Sequence, residues 1–175
     1  MFVTANDGVR LYYEEAGPTQ QQQSPSSTII LVHGGGCSLR WWDRSFTPLS
    51  HHARVIAVDL RGCGRSDKPR HGHRTARYAQ DLRDLVDALD LSDVVLVGWS
   101  IGARTVLSYL ELFVGHQLRG AVFVDDCPHV SEHGIPTYTA ATTTTRPRTA
   151  TLSFPASHLY HLSPLGRRTR SPTRP

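Results

Sequence analysis

The sequence predicts an α/β fold, a mostly parallel sheet with helices on both faces, and three observations point there. Short, continuous apolar runs recur along the first three-quarters of the chain. A strand covered on both faces reads as such a run, because neither face meets water. Between the runs lie longer stretches whose apolar residues have helical spacing, and strands alternating with helices build parallel crossover units. The third observation is a glycine-flanked serine, Gly98-Trp99-Ser100-Ile101-Gly102, set between one apolar run and one helical pattern.

Taken in order, the turn Asn6-Asp7-Gly8 leads into a first strand expected over residues 9–14. Residues 18–27, with four consecutive glutamines, are expected as a polar surface loop. Residues 28–32 form the first buried strand, and Trp41, Trp42, Phe46 and Leu49 mark a short helix. A second buried strand follows at residues 54–58. The best helix spans residues 75–89: Tyr78, Leu82, Leu85, Val86 and Leu89 share one face, leaving Asp81, Arg83, Asp84 and Asp87 to the solvent face. A strand at 93–97, a helix from Ile101 through Val106, Leu107 and Leu110, and a strand at 120–124 complete the pattern.

A chain of 175 residues supports one sizeable core, since ~150 residues bury about two-thirds of the unfolded surface. The character of the sequence changes near Ile135. Up to Gly134, thirteen Lys and Arg meet all fifteen Asp and Glu, a net of −2; residues 135–175 carry six Arg and no acid, a net of +6. That segment also holds a threonine run at 142–145 and frequent prolines, and its apolar residues show no period. Such a composition buries too little apolar area to offset chain entropy. We expect a core over residues 1–134 and a disordered low-complexity tail over 135–175. The abruptness of the change predicts an altered reading frame or splice junction there.

With the basic charge confined to the tail, the core offers no groove for nucleic acid. Cys37, Cys63 and Cys127 form no C-x-x-C pair and are too few for a disulfide framework. The start of the chain lacks the basic and apolar regions of a secretory signal, and no apolar run approaches the ~18 residues of a membrane span. The expectation is a soluble, cytoplasmic protein without nucleic-acid or membrane partners.

The chemistry centres on Ser100. A serine in a sharp strand-to-helix turn is pushed out of the sheet edge, flanking glycines such as Gly98 and Gly102 permit the close backbone approach, and the helix N-terminus adds its dipole and free N–H groups. The second signal is His33-Gly34-Gly35-Gly36, at the end of the first buried strand. Acyl transfer needs donors aimed at a developing oxyanion, and a glycine-rich turn lets N–H groups converge. The expected donors are the N–H groups of Ile101 and Gly35, with His33 bracing the turn. The loop from Asp59 to Pro69 is read as structural: Gly62 and Gly64 shape a tight exit from a strand, while Asp59 and Arg61 brace it electrostatically. The paired histidines at 51–52, 71–73 and 129–133 lack further ligands at metal spacing, so no metal site is expected.

In order and spacing, the His33-Gly34-Gly35 turn, the loop from Asp59 to Pro69 and the Gly98 to Gly102 elbow resemble the α/β-hydrolase superfamily, over about residues 1–128. The stretch after Trp99 is most similar to its cofactor-free haloperoxidase and esterase-like branch. The resemblance implies an α/β-hydrolase fold, here truncated after the sixth strand, and a Ser100-dependent hydrolase of carboxylic esters or related small acyl compounds, with no cofactor. It also implies a chain order of serine, acid, then histidine. Asp125 or Asp126 is placed to supply the acid. Of the later histidines, His129 and His133 come too early for the family position and His158 and His161 fall in the tail. The alternative is therefore a catalytically inactive, truncated or frame-altered hydrolase fragment that acts in interactions, and the last strand is expected as an open edge prone to self-association.

Overall fold

The computed structural model describes residues 1–18 and 27–124, together with Ala141–Thr142 and Ser163–Pro164, which pair in parallel. The glutamine run and the rest of the expected tail lie outside the described residues. Among the described residues six strands form one sheet: β1 Phe2–Thr4, β2 Arg10–Ala16, β3 Thr28–Val32, β4 Arg54–Val58, β5 Val94–Trp99 and β6 Leu118–Val124. Their spatial order is β1-β2-β4-β3-β5-β6. The pairs β4/β3, β3/β5 and β5/β6 are parallel, whereas β1/β2 and β2/β4 are antiparallel. The sheet is thus mixed, and β6 is its outer strand.

The antiparallel β1/β2 pair has a simple cause. Asn6-Asp7-Gly8 turns the chain back on itself, with Gly8 N–H donating to Ala5 C=O at 2.9 Å and Ala5 N–H to Val9 C=O at 2.8 Å. That hairpin makes a strand of residues 2–4, too short to show a pattern in the sequence, and β2 begins at Arg10 rather than residue 9.

Three helices among the described residues flank the sheet: α1 Asp43–Ser50, α2 Thr75–Ala88 and α3 Ile101–Phe113. Helices α2 and α3 cover one face, where Leu82, Leu85, Val106 and Tyr109 pack on Ile30, Val32, Val58 and Leu96. On the opposite face Leu39, Trp42, Phe46 and Leu49 pack on Ile29, Leu31, Val55, Ala57 and Val97. Alternate residues of β3 serve opposite layers, as the two-residue period of a strand requires. Every residue of β3 is buried, and burying each Ile, Leu or Val contributes about 1.5–3 kcal/mol. The expected helix over 41–49 is two pieces, a 3-10 turn over Leu39–Trp42 and then α1.

One expectation about α2 is corrected. Asp81 does not face solvent; it is 1% exposed. The polar spacing of α2 conceals a buried cation opposite it: Arg61 Nε and Nη2 donate to the two oxygens of Asp81, both at 2.5 Å. Arg61 likewise spans Asp7 at 2.9 and 3.1 Å. Arg61 therefore does not brace its own turn. It joins the β1–β2 hairpin to α2, and Arg77 extends the network to Asp81 at 2.7 Å and Asp84 at 3.2 Å.

Candidate active site

Ser100 stands between the end of β5 and the first residue of α3, with φ 53° and ψ −120°. A side chain at positive φ is strained by on the order of 1–3 kcal/mol and persists only where its surroundings over-determine it. Here both flanking glycines do so. A Cβ on Gly98 would come within 2.5 Å of Gly102 carbonyl carbon and 2.6 Å of Ala103 N, in the first turn of α3. A Cβ on Gly102 would meet the carbonyl oxygens of Val32 and His33, the latter at 2.8 Å. Helix α3 is thereby pressed onto the ends of β5 and β3, and the chain reverses within one residue, Ser100.

The helix start also sets the local electrostatics. Ala103 and Arg104 N–H donate to Ser100 C=O at 2.8 and 3.2 Å. The N–H groups of Ile101 and Gly102 precede any intrahelical acceptor, as at every helix N-terminus, and the positive end of the α3 dipole lies at the serine. Gly35 approaches the same place from β3: a Cβ on it would stand 3.8 Å from Ile101 Cγ2. The fold thus brings together Ser100, Ile101 and the 34–36 turn, which are about 65 residues apart in sequence.

His33, fully buried, pins that turn. Leu60 N–H donates to its Nε2 at 3.1 Å, so Nδ1 carries the proton and donates to Gly34 C=O at 2.7 Å. Burial holds the imidazole below its usual pKa, keeping it neutral. Asp59, 1% exposed, ties the neighbouring loops together. Its two oxygens accept from Leu39 N–H at 2.7 Å and Arg65 N–H at 2.8 Å. Gly64, at φ 47°, leaves the space that this carboxylate fills, and Gly62, at φ 82°, faces the His73 ring. His33 and Asp59 thus each join neighbouring loops through buried hydrogen bonds.

Two aromatic residues that the motifs do not single out also converge here. Trp41 is stacked on Trp99, with ring centroids 3.8 Å apart and planes 7° from parallel. The Cε3–Cζ3 side of Trp99 fills the space where Gly34 would carry a Cβ. Trp41, one of the residues that mark the short helix in the sequence, is 52% exposed; the sequence carries no signal for this pairing. Asp125, Asp126 and the four later histidines, His129, His133, His158 and His161, lie outside the described residues. Of the earlier histidines, His73 Nε2 lies 2.8 Å from Pro69 C=O and His116 Nε2 lies 2.9 Å from Asp87 Oδ1.

Residues 27–150 match the family model described as alpha/beta hydrolase fold. The chain belongs to the alpha/beta-hydrolase family. It is 37% identical over 129 residues to a non-heme chloroperoxidase of Streptomyces lividans, covering 73% of this chain and 45% of that protein. It is 32% identical to a bifunctional esterase/perhydrolase of Acinetobacter calcoaceticus, again covering 73% and 45%. Among solved structures, an esterase from Exiguobacterium antarcticum superposes with a TM-score of 0.64 at 27% identity, over 71% of this chain and 44% of that one. The chain thus spans a little under half the length of these alpha/beta-hydrolase relatives. Among the described residues no helix is long and apolar enough to cross a membrane, and no group of three or more His, Cys, Asp or Glu is placed to hold a metal ion.

Proposed function

We propose that this chain carries the nucleophile and oxyanion half of a serine hydrolase acting on carboxylic esters or related small acyl compounds. The observation that supports this most is the conformation of Ser100: a strained serine between β5 and α3, wedged there by Gly98 and Gly102. A residue held at such a cost points to use of its hydroxyl. In this reading Ser100 Oγ attacks the acyl carbon, and the N–H groups of Ile101 and Gly35 receive the developing oxyanion. A histidine must take the serine proton and an acid must orient it. Asp125 or Asp126, directly after β6, is the acid we propose. The names of the relatives, an esterase and an esterase/perhydrolase among them, support acyl chemistry.

The test is labelling with a fluorophosphonate probe, which requires an activated serine. Where wild-type protein labels, Ser100→Ala is expected to lose ~10³-fold or more of the labelling rate, and His158→Ala and His161→Ala to label as wild type. A second reading, a non-catalytic hydrolase fragment, has its own support: His33 is committed to Gly34 and Leu60, His73 to Pro69 and His116 to Asp87. A folded wild-type protein that does not label would decide for it.

In either reading we propose that β6 is a surface for self-association. It is the outer strand of the six-stranded sheet, and its run Gly-Ala-Val-Phe-Val over residues 120–124 holds no charge or proline to discourage pairing, Arg119 being the one charged residue of the strand. Light scattering after size exclusion is expected to show dimers or larger species, and Val124→Lys, at a half-buried position at the end of the strand, to reduce them several-fold. A monomer in wild type at micromolar concentration would refute this.

A further inference from the structure

We propose that Trp41 is a positioning residue that holds the 34–36 turn at its working distance from Ser100, acting through Trp99. The case rests on a chain of contacts that starts at a buried carboxylate. Asp59 fixes the start of the 3-10 turn by accepting from Leu39 N–H at 2.7 Å, and Ser38 Oγ accepts from Arg40 N–H at 3.4 Å one step earlier. That turn presents Trp41, whose ring lies flat on Trp99. Trp99 is bonded to Ser100, and its ring edge occupies the space over Gly34 where a Cβ would otherwise stand. Pushing on Trp99 therefore sets two positions at once, the elbow and the glycine turn.

The burial of Trp41 supports a positioning role over a packing role. At 52% exposure it contributes little apolar burial to the core, whereas Trp42 beside it is 7% exposed and anchors the turn to the sheet. What Trp41 does contribute is a flat, nearly parallel ring contact, which depends on orientation as well as area. A glycine turn has many backbone states available. One ring held on Gly34 by a second ring removes most of them, so the Gly35 N–H is presented without being organised anew by each substrate.

The inference rests on the reading of Ser100 and Gly35 as nucleophile and oxyanion donor for its chemical meaning, but its test does not. Amide hydrogen exchange of the full chain is followed in residues 33–37 and 98–103, with a thermal melt of each variant. Trp41→Ala is expected to raise exchange of Cys37 and Ala103, whose N–H groups donate to Gly34 and Ser100 C=O, about fivefold relative to the β3 amides, and Trp41→Phe to stay near wild type. Leu49→Ala, which thins the same apolar layer without touching the stack, is expected to lower the melting temperature and leave that ratio unchanged. If Trp41→Ala does not fold, Trp41→Leu is compared with Trp41→Phe and is expected to show the same rise. An unchanged ratio in the alanine or leucine variant, or an equal rise in Leu49→Ala, overturns the proposal. Failure of Ser100 to label with the probe leaves the exchange result standing and overturns only the hydrolase reading. Where labelling occurs, Trp41→Ala is expected to slow the labelling step severalfold without weakening probe binding.

Discussion

Arg61→Met is expected to destabilise the protein by about 3–5 kcal/mol, a large share of the ~5–15 kcal/mol that holds a typical domain together. The guanidinium is fully buried, and Asp81, which it grips through two hydrogen bonds, is 1% exposed. Removing only the cation leaves a buried carboxylate with Arg77 as its remaining partner. The double variant Arg61→Met with Asp81→Leu is expected to recover much of the loss, because the desolvation cost of both charges disappears together. Urea unfolding of the three proteins measures this; a loss below about 1 kcal/mol in Arg61→Met would show that Arg77 and water satisfy Asp81 without it.

The same network sets a pH dependence. The Arg61 hydrogen bonds hold the Asp7 carboxyl below the usual carboxylate range, against a smaller opposing effect of burial. A carboxyl whose folded pKa lies below its unfolded value, about 3.9, contributes stability that is complete above that value. The contribution is lost as pH falls through the lower, folded value. Asp7→Asn is therefore expected to lower stability at neutral pH and to flatten the acid limb below about pH 4. An acid limb unchanged from wild type would rule this out.

Gly102→Ala is expected to cost about 3 kcal/mol, the reverse of the ~1 kcal/mol gain that alanine brings in an ordinary helix interior. The added methyl would strike the carbonyl oxygens of Val32 and His33. Both belong to backbone at the end of a central strand, so no side chain can swing away. Helix α3 must lift, and Ser100 and Ile101 move with it; serine labelling is expected to fall with stability. Gly35→Ala is the comparison, since a Cβ there makes an ordinary 3.8 Å contact with Ile101 and the N–H is retained. Thermal melts of the two variants separate the cases. A stabilised Gly102→Ala would mean that α3 is not pressed onto β3.

The sequence by itself determined the elements whose cause is local. The buried strands at 28–32 and 54–58 coincide with β3 and β4, the helix over 75–89 is α2 plus one residue, and Ile101 begins α3. Apolar period and glycine punctuation are written in neighbouring residues, so a sequence exposes them. The elbow was legible for the same reason, with strand, motif and helix contiguous. Nothing local announced the β1–β2 hairpin's place beside β4, the burial of Asp81, or the Trp41 stack on Trp99. Each is a pairing between residues 20 to 58 positions apart, and its sign is set by the partner: an aspartate on a polar helical face belongs to solvent unless an arginine from another loop is buried opposite it. The distance between Gly35 and Ile101 is of the same kind. Residue types supplied a glycine turn and a strand-to-helix elbow, and only the packing of α3 onto the ends of β3 and β5 set Gly35 beside Ile101.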